Sequence, residues 1–310
     1  DIGNLSGWYP NMNFCNLLAI GKDFENTNVI KVLDYFSKTL RIQDSALVVM
    51  ADAKAKDILS ASTPLDNISS FALQKIIIKN VGFENNIVAM DIKNFCTGYY
   101  SSAASSFMPI VSIKKQNTSS DIGSTGSLNP SSASGEASSS SNSDKSATDG
   151  NILFSADRTA LFKKGIKVGE LDKDMSFVFN TLGRKMSGAT FEIKDVDCQS
   201  RTAKENFGKT NFLLTVLNNS SSISTEVDEN SFTLNITLNI YCRISDRNSE
   251  SEEQDYSDNL PLPITLQQKA EKYIIDNLNE LVLTSKQTEC DFLNLKQKLY
   301  RHNYVNYARF

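Results

Sequence analysis

One histidine, His302, and one tryptophan stand among 310 residues. A lone histidine in a polar terminal segment removes the usual general base and the commonest metal ligand. No G-x-S-x-G sequence is present to mark a nucleophile elbow. The five cysteines, Cys15, Cys96, Cys198, Cys242 and Cys290, are odd in number, far apart and never spaced as C-x-x-C. They read as free thiols, with neither a zinc site nor a disulfide framework signalled. No block of lysine or arginine occurs and the net charge is −4, which argues against binding to a nucleic-acid backbone. No stretch approaches the roughly 20 consecutive apolar residues that span a bilayer. The opening residues, DIGNLSGWYP, lack the basic stretch and apolar core of a secretion signal.

What is present is enough for two ordinary domains. Apolar residues make up 40% of the chain, a globular rather than a disordered composition. Composition breaks at Asn117. From there to Gly150 the residues are mainly Ser, Gly, Asn, Thr and Asp, with Ile122 and Leu128 the only large apolar ones. Such a stretch cannot offset its ordering entropy by burial and reads as a disordered linker or loop. Residues 1–116 therefore read as an N-terminal α/β domain, 117–150 as the linker, and 151–310 as a C-terminal α+β domain.

Hydrophobic spacing supplies the elements. Asn13–Ile20 reads as a strand, and Val29, Val32, Leu33 and Phe36 as one face of a short helix. Ser45–Met50 is apolar without alternation, as expected of a strand buried on both faces. A helix follows at about Ala53–Ser60. Phe71, Leu73, Ile76, Ile77 and Val81 mark another, with Ser69 or Ser70 as its cap and Gly82 as its end. Val88, Ile92, Phe95 and Tyr99 mark a third, and Met108–Ile113 a strand. Ala160–Leu171 reads as a hairpin turned at Gly165, leading into a helix capped by Asp172 with Met175, Val178 and Leu182 on one face. Phe191, Ile193 and Val196 suggest a strand, and so does Phe212–Leu217. From Phe232 to Ile244 every second residue is apolar, the pattern of a long strand with one buried and one wet face. Leu266, Ala270, Ile274, Leu278 and Leu281 mark a helix able to cover that face, and a second helix spans about Cys290–Tyr300. The fold class is α+β, a mixed α/β N-terminal part and a C-terminal antiparallel sheet covered by helices.

Four features resemble active sites. Asp52 and Asp57 beside Lys54 and Lys56 read as a helix start with solvated charges. Gly165 and Gly169 beside Lys163 and Lys164 lack phosphate-loop spacing and read as a hairpin turn. Glu250, Glu252, Glu253, Asp255 and Asp258 lack EF-hand spacing and read as a solvated loop. Tyr300, Tyr304, Tyr307 and Phe310 with Arg301 and Arg309 read as a packed terminus, or else as a partner-binding segment. No catalytic, cofactor-binding or metal-ligating residue is assigned, no cofactor is expected, and the chain reads as a non-enzyme.

Several ordered segments together resemble one family. Leu17–Phe36 is similar to a strand-then-helix segment, and Arg41–Leu59 to an arginine turn, valine-rich strand and Ala-Lys-x-Ile-Leu helix. Ala160, Phe162, Gly165, Val168, Gly169 and Leu171 match a second-domain opening. Asp291, Phe292, Leu295, Tyr300 and Arg301 match a D-x-x-x-L segment followed by Tyr-Arg. The family is Ger(x)C, the GerAC-like lipoprotein C subunits of bacterial spore germinant receptors. The resemblance implies a protein lipid-anchored to the outer face of the inner spore membrane, supporting nutrient-triggered germination beside integral-membrane A and B subunits. It implies no nucleic-acid partner and offers no catalytic or ligand-binding residue to carry over. The chain lacks the signal and lipobox cysteine at its start and the Trp-containing stretch and strand at its end, so it reads as truncated at both ends. The alternative expectation is a solute-binding lipoprotein that captures a small germinant between its halves.

Overall fold

Leu47–Ala51 (β2) has no polar face, and the fold covers both of its sides. Val48 and Met50 point into one core; Val49 and Ala51 point into another on the opposite face. The structure, a computed structural model, describes residues 12–40, 42–61, 68–80, 86–115, 152–199, 206–227, 232–249 and 264–302. The serine-rich segment Asn117–Gly150, the acidic run Glu250–Asp258 and the aromatic tail after His302 lie outside the described residues, as do Val81 and Gly82.

β2 is the second strand of a five-stranded sheet ordered β1-β2-β3-β4-β5, with β1 Leu17–Ile20, β3 Ser105–Lys115, β4 Ile152–Lys163 and β5 Ile166–Leu171. β1, β2 and β3 run parallel, and β4 and β5 add antiparallel strands. Hydrogen bonding thus crosses the serine-rich segment: β3 and β4, on either side of it, pair from Ser105↔Lys163 to Lys115↔Ile152. One face of the sheet carries α1 (Ile30–Asp34, continued by a wider π turn through Thr39) and α4 (Ile92–Tyr99). The other carries α2 (Ala55–Ser60) and α3 (Ser69–Lys79). A second, antiparallel sheet is ordered β6-β7-β8, from Thr190–Gln199, Asn206–Val227 and Phe232–Ser249. Helices α5 (Lys173–Gly183) and α6 (Ile264–Gln287) pack on it, and α7 (Leu295–His302) follows.

Most expected elements are found, with local differences. The first strand begins only at Leu17, because Met12–Phe14 forms a 3-10 turn. The N-cap of α3 is Ile68, not a serine, because the Ser69 hydroxyl is spent on the Leu59 carbonyl. Val88 lies ahead of α4, whose cap is Asp91 accepting from the Asn94 amide at 2.6 Å. Asp172 caps α5 as expected, accepting from the Met175 amide at 2.8 Å. β7 reaches far beyond Phe212–Leu217, since its continuation, Asn218–Ser224, is held by pairing with β8 rather than by an apolar pattern of its own.

The β4–β5 turn places Lys164 at φ 52° and Gly165 at φ 76°. A β-carbon on Gly165 would collide with the Asn28 side-chain oxygen. Gly165→Ala is expected to cost about 1–3 kcal/mol from the left-handed backbone alone. Chemical denaturation checks this, with Gly169→Ala as a comparison whose backbone is not left-handed.

Candidate functional site

The segments that carry the family resemblance are far apart in sequence and meet at the β4–β5 hairpin. From the N-terminal side, the Val29 amide donates to the Gly165 carbonyl at 2.8 Å, and the Lys167 amide donates to the Glu25 carbonyl at 3.3 Å. From the C-terminal side, Lys163 pairs with Glu289 at 2.6 Å and the Cys290 thiol donates to the Phe162 carbonyl at 3.3 Å. Phe162 is fully buried and meets Phe95 edge-on, ring centres 5.4 Å apart, a contact worth about 0.5–1.5 kcal/mol beyond its buried area. Asp291 explains its place in the D-x-x-x-L segment: its carboxylate accepts from the Leu295 and Lys296 amides at 2.8 Å each and so starts α7.

A bulge in β4 directs the chemistry beside this hairpin. Ile110 pairs with Arg158 but Ser112 with Ser155, so β4 has one residue more than β3. The extra residue inverts the strand's facing. Phe154 and Ala156 enter the core under α3, while Ala160 and Phe162 enter the core under α1 and α4. At this point Arg158 reaches Asp52 at 2.6 Å, Glu170 at 2.9 Å and Asp157 at 3.8 Å. Asp52 also takes Lys22 at 3.2 Å, Asp157 takes Lys114 at 3.0 Å, and Lys167 bridges Glu170 at 2.6 Å and Glu25 at 2.5 Å. Burial works against the charges of Asp52, Asp157, Arg158, Lys167 and Glu170, but their partners outweigh it. Arg158 and Lys22 hold the Asp52 carboxyl below its ordinary range, and Lys167 with Arg158 does the same for Glu170. Glu170 and Glu25 in turn raise Lys167 above its usual value.

Buried polar groups add a second tie across the chain. Thr159 and Ser176 hydroxyls lie 3.1 Å apart, and Thr159 accepts from the Val88 amide at 3.1 Å. Asn180 donates to the Ile87 carbonyl at 2.9 Å. Asn219 on β7 closes the end of α5, donating to the Thr181 and Arg184 carbonyls at 2.6 and 3.0 Å. Two concavities lie in the C-terminal part. A cleft of about 700 Å³ between β6 and helices α5 and α6 sets Lys173, Lys269 and Lys272 among Asp174, Asp195 and Asp276. An apolar groove of about 910 Å³ separates β8 from α6.

The site features read from sequence fall as follows. Asp52 does not sit with Asp57 and the flanking lysines; it belongs to the Arg158 network, whose guanidinium is 106 residues away. Gly165 is a turn residue, as its spacing indicates, and Lys163 is an ion-pair partner. Tyr300 is half-exposed on α7. Sequence pattern does not single out Glu25, Arg158, Lys167 or Glu170. Their one local signal is a charged pair, Asp157-Arg158, in the middle of β4. Burial pushes the Cys290 thiol up to about 11, which leaves it uncharged at neutral pH. Among the described residues no group of three or more His, Cys, Asp or Glu is placed to hold a metal ion. Among the same residues no helix is long and apolar enough to cross a membrane.

Comparison with known proteins gives two family matches. Residues 157–309 match the family described as Spore germination B3/GerAC like, C-terminal, and residues 1–113 match the Spore germination protein N-terminal domain. Among solved structures, the chain is similar to the crystal structure of the GerBC protein, with a TM-score of 0.57 and 12% identity over 95% of this chain and 71% of that one. No curated protein sequence matches.

The lowered carboxyls of Asp52, Asp157 and Glu170 give a pH signature. Their contribution is fully present above the ordinary carboxylate range and is lost as pH falls through the lowered values, because the unfolded chain binds protons first. Arg158→Met is expected to lower stability at neutral pH by about 1 kcal/mol after solvent screening. It should also make the acid-side decline in stability shallower. Urea titrations from neutral pH downward check both effects; an unchanged acid slope would count against the network.

Proposed function

The chain belongs to the GerAC-like family of spore germination proteins, and we propose that it is a non-enzymatic subunit of a spore germinant receptor that works through protein contacts. The observation that carries this reading is the ordered pair of family matches, one on each side of the serine-rich segment. The geometry supports it. Among the described residues, the charged cluster around Arg158 is occupied with its own ion pairs, so these groups serve to join parts of the chain and are not poised for proton transfer. The partners we propose are integral-membrane A and B subunits. The location we propose is the outer face of the inner spore membrane, reached through an N-terminal lipid anchor.

Solute capture between the halves would need unspent polar groups facing a cleft there. The charged groups that join the halves, Glu25 and Asp52 with Arg158, Lys167 and Glu170, pair with one another, which favours the contact-making reading. Co-purification from detergent-solubilised spore membranes tests it, using the gene product with its native N-terminus. Recovery of two multi-span membrane proteins with the chain is the expected outcome. A chain found in the soluble fraction with neither of them would sink the proposal.

A further inference from the structure

The cleft between β6, α5 and α6 differs from the network around Arg158 in one respect: its charges are not paired off. Lys173, Lys269 and Lys272 line it with Asp174, Asp195 and Asp276. Among the described residues none of these six forms an ion pair. Lys269 uses one of its three N–H groups on the Asp195 backbone carbonyl. The Tyr273 hydroxyl faces Asp174, and burial together with that carboxylate raises the phenol above its usual range. The other two charges at the cleft, Glu192 and Lys194, face each other at 3.6 Å. The enclosed space of about 700 Å³ is of the size that holds a small ligand. Its floor is aromatic. Phe177 and Phe191 are buried with ring centres 5.0 Å apart, and Tyr273 stacks on Phe191 at 5.7 Å with ring planes 8° apart.

One wall is a strand edge. β6 is outermost in its sheet and pairs only with β7 among the described residues. Six successive residues, Thr190 to Asp195, all line the cleft, although side chains on a strand alternate between its two faces. They reach one cavity through the backbone they share, so the cleft runs along the free edge. Between Ile193 and Val196 the register shifts, and Asp195 has a φ of 55°. That bulge stops a long strand from adding here but leaves residues 190–193 open to a short one.

We propose that this cleft binds short peptides with both termini free, about three residues long. The peptide backbone extends the edge of β6, and an apolar side chain lies over Phe191 and Tyr273. Lys269 and Asp276 stand two turns apart on α6, about 10 Å along its axis, and an extended tripeptide covers the same span. Lys269 and Lys272 hold the peptide carboxylate; Asp276 holds its ammonium. Three lysines balanced by three aspartates favour a zwitterion over a ligand of one sign. The inference does not depend on the receptor assignment.

Calorimetric titration of the 310-residue chain with Ala-Phe-Ala, Ala-Leu-Ala and Ala-Tyr-Ala tests it. Saturable binding of at least one is expected. Acetylating the amino terminus of that peptide, or amidating its carboxyl terminus, should each weaken binding about tenfold. Asp276→Asn should abolish the effect of acetylation and keep that of amidation. Lys269→Gln with Lys272→Gln should do the reverse, an outcome that general loss of folding would not give. Amide exchange at residues 190–193 should slow in the saturated complex. The proposal is overturned if none of the three peptides binds or if capping a terminus changes nothing. Free phenylalanine binding as tightly as the tripeptide overturns it too, since the strand edge would then contribute nothing.

Discussion

The antiparallel ladder between β3 and β4 is the constraint on which the rest of the molecule depends. It joins the parallel strands β1 to β3 to the hairpin of β4 and β5, and so makes one sheet from residues that lie on both sides of the serine-rich segment. Through β4 the ladder also touches all three apolar cores: Phe154 and Ala156 enter one, Ala160 and Phe162 a second, and Leu161 the third. The bulge reverses the strand's facing part-way along, so Phe154 and Ala156 serve one side of the sheet and Ala160 and Phe162 the other. Arg158 stands at that reversal, which is why its guanidinium reaches sideways to Asp52 instead of entering either core.

Two kinds of interaction then hold the N-terminal and C-terminal parts together, and they respond differently to conditions. The ion pairs around Arg158 and Lys167 are partly solvated, so salt and acid weaken them. The hydrogen bonds of Thr159, Ser176 and Asn180 are buried and insensitive to both, but leaving one of those groups unpaired would cost about 1–3 kcal/mol. The charged set sets register and orientation; the buried set, together with the Phe95–Phe162 and Phe107–Phe179 ring contacts, supplies the stronger attachment. Family matches over 1–113 and 157–309 follow blocks of sequence, while the hydrogen bonding passes from one block to the other.

Sequence periodicity revealed elements whose signal is local. β2 announced its two buried faces by lacking any polar position, and β8 announced its alternation over thirteen residues. Asp172 and Gly165 were identifiable because caps and turns depend on one residue's chemistry. The Arg158 network was not legible, because nothing near Asp52 points to a guanidinium 106 residues away, and pairing that distant is decided by strand order. The length of β7 was missed for a related reason. Asn218–Ser224 is polar on its own evidence and becomes a strand through β8. Ser69 was misjudged as a cap because its hydroxyl found a carbonyl in the preceding loop first.

The bulge in β4 also governs which length changes this chain can absorb. Side chains on a strand alternate with a period of two, so adding or deleting one residue near Asp157 would exchange what Phe154 and Phe162 face and set apolar groups against charged ones. The pairing of Lys115 with Ile152 fixes both ends of the intervening segment, so a change in length there leaves the alternation of β3 and β4 intact. Within a few residues the chain passes from positions where an insertion keeps the strands' alternation to positions where a single codon reverses it. Natural variation in length should therefore collect before Ile152 and stop abruptly at β4.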